Sequence, residues 1–294
     1  MKAPHPAREG RWTETEVVKF ILSLRRLDLT MTEVEERVFE HYARTHARRF
    51  ALVLNAFGSL IPEGARIFSV GSMPNQLELL LAREFDARVV GSAYNPLDTR
   101  DKFTAVYQAS SSWHYEMEMY LRDCSRDPLP VEKESCDLVL CCEVVEYVLN
   151  SPASLFREIT RVLRTNGHLL LSTTNLQHWH RLLYWINGMT YPDVDFHEPI
   201  ESRHTHIFSF RELKELLNTA GLEVVNHFFD DPWENAKHVM QFDLRVPLDQ
   251  AARDVLADRE EFQHECIFIA ARPLRRNCRP AEVIRWSDAY ATNT

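Results

Sequence analysis

The chain has 294 residues, of which 45% are hydrophobic and 26% charged, and carries a formal net charge of −9. These values describe an ordinary globular protein of one large domain, or one domain with additions. The acidic balance argues against a general nucleic-acid surface, which needs a basic footprint.

Residues 1–11 are polar and read as an unstructured lead-in. From Glu14 to about Ser59 the apolar spacing is helical, with Val17, Phe20, Ile21 and Leu24, then Val34, Val38, Tyr42, Phe50, Val53 and Phe57. Thr30 and Thr32 are N-cap candidates for the second stretch. A strand–helix alternation follows. Strands are expected at Arg66–Val70, Arg88–Gly91, Asp137–Cys142 and His168–Ser172, and helices at about Asn75–Glu84, Ala153–Leu163 and Phe210–Ala220. Short apolar strands of this kind predict a parallel sheet covered on both faces, hence an α/β, doubly wound fold. Leu222–Phe229 is a further strand, the segment from Asp230 to Gln263 breaks the alternation, and Cys266–Ala271 reads as a last strand at a sheet edge. The expected organisation is a helical segment over 1–60 and an α/β domain over 61–272. That domain carries a lid-like insert at about 176–205 and an irregular stretch at about 230–263, and a tail follows over 273–294. Arg272, Arg275, Arg276, Arg279 and Arg285 read as solvated charge at the end of the chain.

The six cysteines, Cys124, Cys136, Cys141, Cys142, Cys266 and Cys278, show no CxxC spacing, and no apolar run approaches 18 residues. Free thiols and a soluble, cytoplasmic protein without membrane attachment are the expectation. The chain is also glycine-poor, with 8 glycines where average usage would give about 20. Gly71, Gly91 and Gly167 therefore carry unusual weight. Gly71 stands in Ile67-Phe-Ser-Val-Gly-Ser-Met-Pro-Asn-Gln76, a strand-to-helix turn with the outline of a nucleotide-binding loop.

The run Asp137-Leu-Val-Leu-Cys-Cys-Glu-Val-Val-Glu-Tyr-Val148 continues through Pro152, Leu155, Glu158, Arg161, Gly167 and Ser172-Thr-Thr-Asn175. It resembles the fourth strand, following helix and fifth strand of the class I S-adenosylmethionine-dependent methyltransferases. Arg203-His-Thr-His-Ile-Phe-Ser-Phe-Arg-Glu-Leu, with Ala220-Gly-Leu222, resembles the same family's approach to its sixth strand. The match covers about 60–229 and implies a Rossmann-like methyltransferase fold with S-adenosylmethionine as cofactor. It places Ser69, Gly71, Met73 and Asn75 on the first cofactor loop, Tyr94 and Asn95 after the second strand, and Ser125 in the loop before the fourth. The family's usual residues are altered at these places. Ser69 stands where an acidic residue is usual, and Met73 and Asn75 replace glycines. Ala93 replaces the carboxylate that takes both ribose hydroxyls. The contact position there is Ser125 or Arg126, and Asp123 or Asp127 could serve instead after a shift of one or two residues.

Glu143, Glu146 and Tyr147 follow the fourth strand and are the catalytic candidates; Tyr147 stands where family members often carry histidine. Trp179–His197, containing Tyr184, Trp185, Tyr191, Asp193, Asp195 and His197, has the aromatic and polar mix of a lid over a small organic substrate. Trp113, His178 and His204 join Tyr184, Trp185 and His197 as substrate candidates. The pairs His178/His180 and His204/His206 invite a metal reading, but the resemblance accounts for the second pair, and no metal is expected. Three functions fit these residues: methyl transfer to a small metabolite through a remodelled cofactor site, different chemistry on the same fold, or a non-catalytic methyltransferase-like subunit. The sequence leaves open association with copies of itself or with a different chain.

Overall fold

The buried strands set the architecture. The structure, a computed structural model, describes residues 12–95, 98–109, 113–124, 126–149, 152–188, 204–232, 256 and 259–274. Its nine-stranded sheet consists of β1 (Arg25–Arg26), β2 (Arg66–Val70), β3 (Arg88–Ala93), β4 (Lys102–Gln108), β5 (His114–Leu121), β6 (Cys136–Cys142), β7 (Leu163–Thr174), β8 (Leu222–Asp230) and β9 (Cys266–Pro273). The spatial order is β1-β4-β5-β3-β2-β6-β7-β9-β8. The five strands from β5 to β7 run parallel to one another, whereas β4 and β9 are antiparallel to their neighbours. Chain order reverses between β2 and β6, which is the switch point where a doubly wound sheet opens a crevice at its strand carboxyl ends.

The longer helices among the described residues are α1 (Glu14–Leu22), α2 (Glu33–Phe57), α3 (Gln76–Phe85), α4 (Pro152–Val162), α5 (Trp179–Ile186) and α6 (Phe210–Thr219). Capping boxes start three of them: Thr13 with Glu16, Thr32 with Glu35, and Ser209 with Glu212. One hydrophobic cluster joins α1, α2 and α3 to the sheet through Val17, Phe20, Phe50, Leu79 and Leu80. A second gathers α4 and α6 through Leu155, Phe156, Ile159, Leu213 and Leu217. Both faces of the sheet are thus covered.

Two expectations from the sequence are corrected. The alternation of strands and helices fails after β3, where β4 and β5 form an antiparallel hairpin. Its second strand alternates Tyr115, Met117 and Met119 against Glu116 and Glu118, a period-2 pattern in which Met and Glu are weak strand signals. The run from Cys266 to Ala271 also lies inside the sheet between β7 and β8, and every residue in it is buried. An all-apolar strand needs neighbours on both sides, so β8 takes the edge instead. The expected irregular segment and tail lie mostly outside the described residues, as does the second half of the expected insert.

Gly91 links the sheet to the loop after β2. A Cβ there would collide with Ser72 Oγ, Met117 Cε and Met119 Sδ. The space lets Ser72 enter the interior, where its backbone N–H donates to the Ser92 carbonyl at 2.8 Å. Gly91→Ala is expected to lower stability by about 1–3 kcal/mol through overpacking. Denaturant titration checks this, and an unchanged midpoint would refute the role given to the gap.

Candidate functional site

Two cavities meet at the carboxyl ends of the parallel strands. The first, of about 240 Å³, is walled by Val70 at the end of β2 and Gly71 after it, Ser92, Ala93 and Tyr94 at the end of β3, Arg122, Asp123 and Cys124 after β5, and Glu143 and Val144 after β6. Four consecutive strand ends therefore contribute. Gly71 adopts φ +64°, and a Cβ on it would come within 2.6 Å of Val144 Cγ2. Its lack of a side chain lets two walls of this cavity approach each other. Burial pushes the Cys124 thiol up to about 11, so it stands as a neutral thiol rather than a nucleophile.

The loop after β2 turns most of its polar groups inward. Asn75, with φ 68°, donates from Nδ2 to Tyr107 Oη at 2.8 Å, and Gln76 donates to the Phe39 carbonyl. Ser69 Oγ donates to Glu78 Oε1 at 2.6 Å. The carboxylate absent from the end of β2 is thus present one turn into α3, but buried behind the loop rather than facing the cavity. Burial raises the Glu78 pKa to about 7, against the smaller lowering effect of the Ser69 hydroxyl.

The second cavity, of about 320 Å³, shares Glu143 and Tyr147 with the first. Tyr42, His46 and Arg49 form one wall from α2, spaced four and three residues apart along a single helical stripe. Glu146, Thr174, Arg181, His204 and Glu265 complete it. Hydroxyls at the end of β7 hold the two glutamates: Ser172 Oγ donates to Glu143 Oε1 at 2.7 Å and Thr173 Oγ1 to Glu146 Oε2 at 2.9 Å. Glu143 has φ 55°, a left-handed conformation costly for a non-glycine residue and typical of functional positions. Burial first, and the charge of Glu143 second, raise the Glu146 pKa well above the carboxylate range. Glu146 therefore favours its protonated form. Its Oε1 is buried and has no hydrogen-bond partner.

Arg49 Nη1 lies 3.5 Å from Glu143 Oε1. Burial, and then the charge of Arg49, depress the His46 pKa to about 3 and hold that ring neutral. His204 Nε2 lies 3.1 Å from Tyr147 Oη, with the rings edge to face. Thr205 fixes this pair by donating its N–H and its hydroxyl to the Glu146 carbonyl, at 2.7 and 3.0 Å.

The structure thus brings together Glu143, Glu146, Tyr147, Gly71, Tyr94 and His204 from the residues singled out in the sequence. Others lie away from both cavities. Ser69 and Asn75 are buried in the bonds described, and Met73, half exposed, lines neither cavity. Asn95 also lines neither. Trp113 packs edge-on against Phe20 and stacks on Tyr115 at the far end of β5. His178 is buried against Trp179, and Trp185 is 77% exposed on α5, with Tyr184 beside it lining neither cavity. Ser125 and His197 lie outside the described residues. Tyr42, part of the apolar spacing of α2, packs against the core and also lines the second cavity. His46, Arg49, Arg181 and Glu265 were not anticipated. For Arg49 a signal existed, since a charged residue occupied the phase of α2 that also carries Tyr42 and Val53.

Among the described residues, no group of three or more His, Cys, Asp or Glu could hold a metal ion, and no helix is long and apolar enough to cross a membrane. Residues 39–227 match a family model described as a methyltransferase domain. The chain belongs to that methyltransferase-domain family. No curated protein sequence matches it. Among solved structures, it is similar to an S-adenosylmethionine-dependent methyltransferase from Archaeoglobus fulgidus, with 14% identity and a TM-score of 0.51 over 80% of this chain and 99% of that one. It is also similar to phosphoethanolamine N-methyltransferase 2 from Haemonchus contortus, in complex with S-adenosyl-L-methionine, with 14% identity and a TM-score of 0.52 over 90% and 58% of the two chains. At these identities the likeness is one of fold.

Glu78 offers a direct check on the loop. Its pKa is raised in the folded state, so the stability it contributes is complete below its ordinary 4.5 and is lost as pH rises to about 7. Relative to wild type, Glu78→Gln should gain on the order of 3 kcal/mol between pH 4.5 and 7.5. Urea midpoints across that range measure it, and a constant difference would show that Glu78 titrates normally.

Proposed function

We propose that the chain transfers a methyl group from S-adenosylmethionine to a small-molecule acceptor, with the cofactor in the first cavity and the acceptor in the second. The observation that carries this reading is the shared boundary: Glu143 and Tyr147 line both cavities. Displacement between a donor and a nucleophile needs two adjoining compartments with one contact zone.

The residues fit the cofactor with an altered set of contacts. Gly71 keeps the close backbone approach, and Asp123 supplies a carboxylate on the wall where Ala93 offers none. Gly71, Tyr94, Asp123 and Glu143 would hold the cofactor, which when bound supplies an electrophilic methyl group on a sulfonium. The protein's own work is to align the acceptor, exclude water and remove a proton where the nucleophile carries one. Tyr147 and His204 suit the last task. A tyrosine hydroxyl at the boundary, joined to an imidazole, can pass a proton away from the acceptor. In this reading the α/β domain spans about 61–272, and the helical segment before it supplies an acceptor wall through α2.

Calorimetric titration with S-adenosylhomocysteine should show one site per chain. Asp123→Asn should weaken it about tenfold to a hundredfold, as expected for a hydrogen bond to a charged group worth about 1.5–3 kcal/mol. No binding at millimolar ligand would remove methyl transfer and favour other chemistry on this fold or a non-catalytic subunit.

A further inference from the structure

Arg49 lies in the second half of α2 and is 3% exposed, yet its Nε and Nη1 have no hydrogen-bond partner. Nη2 donates to Tyr42 Oη at 3.1 Å. The nearest carboxylate oxygen, Glu143 Oε1, is 3.5 Å from Nη1 and already accepts from Ser172. A charge-assisted N–H···O bond is usually about 2.7–2.9 Å long, so this ion pair is a loose one. Buried polar groups are nearly always hydrogen-bonded, and a buried charge is costly unless paired closely. A guanidinium held this way beside a cavity of about 320 Å³ is organised for a partner that enters from it.

The surroundings select the kind of partner. Arg181 faces the same cavity from α5, its Nε donating to the Asn175 carbonyl at 2.9 Å. Glu146 is protonated and does not repel an anion; His46 is neutral and adds no charge. Glu143 and Glu265 also line the wall, so two arginines face two acidic side chains there. That balance accommodates a single added negative charge better than the dianion of a phosphate monoester.

We propose that the second cavity takes a small molecule bearing a carboxylate, with Arg49 as its anchor and Tyr42 and Arg181 beside it. The proposal rests on reading this cavity as the acceptor site and names the class of acceptor. A carboxylate anchored on Arg49 leaves the remainder of the molecule to reach Glu143 and Tyr147, where the cavities join.

Ligand-observed NMR tests this with a panel of small aromatic and aliphatic carboxylates, each paired with its primary amide, and with inorganic phosphate. At least one carboxylate should bind wild-type protein, with its amide tenfold or more weaker and phosphate weaker still. Arg49→Gln should weaken that carboxylate at least tenfold, and Arg49→Lys should recover part of the loss. Circular dichroism reports whether each variant folds, and Arg181→Gln, expected to lose threefold or more, serves if Arg49→Gln does not. Amides binding as well as carboxylates, phosphate binding more tightly, no carboxylate binding, or indifference to the arginine variants would each overturn the proposal. Wild-type titration with S-adenosylhomocysteine separates the two readings. A carboxylate bound without any nucleoside site retires methyl transfer and keeps the anion site, and the reverse result retires the anion site alone.

Discussion

The group formed by buried Arg49 and Glu146 with partly buried Glu143 is the constraint around which the site is arranged. Three ionisable side chains in a water-poor junction would be prohibitive as three independent charges. The protein resolves this by keeping one carboxyl protonated, facing the other toward a guanidinium, and supplying hydroxyls from β7 to both. Each element is therefore needed in register. A slip of one residue in β7 would turn Ser172 and Thr173 to opposite faces and leave both carboxyl groups without their donors. The strained backbone of Glu143 fits the same picture, since its conformation aims the side chain at the boundary between two cavities instead of along the strand.

The loop after β2 shows how a fold can outlast part of its original chemistry. The left-handed glycine is kept, and with it the close approach of β2 and β6. The polar side chains that follow it have become structural: Asn75 ties α3 to β4, and Gln76 ties it to α2. Ser69 and Glu78 together occupy the interior behind the turn. Any ligand in the first cavity must therefore draw its polar contacts from the other strand ends, chiefly Tyr94, Asp123 and Glu143, and from exposed backbone.

Four of the five parallel strands, β2, β3, β6 and β7, were legible because each carries a short apolar run, and β2 was placed to the residue. The β4–β5 hairpin was not, because its alternation uses Met and Glu where strands usually carry branched or aromatic residues. Glu143, Glu146 and Tyr147 were legible from the stretch after β6. Arg49 and His46 were not picked out: the phase of α2 marked Arg49, but an arginine within a charged helix reads as solvated until the helix is packed. Once α2 lies on the sheet, the stripe through Tyr42, His46 and Arg49 points inward. Arg181 and Glu265 depend on how α5 and β9 meet, which spacing along the chain does not encode.

The two cavities also differ in what builds them. The first is made from the ends of the parallel strands, so its shape follows from the sheet itself. The second adds to the ends of β6 and β7 walls from α2 and α5, elements placed around the sheet. Substitutions on these additions can change what the second cavity accepts while the first stays as the sheet dictates. The two are coupled mainly through Glu143 and Tyr147, and of these Glu143 is the more constrained, being tied to Ser172 on one side and facing Arg49 on the other. An anion seated on Arg49 would compete with Glu143 for that guanidinium. Occupancy of one cavity would then alter the charge presented to its neighbour, because the same carboxylate faces both.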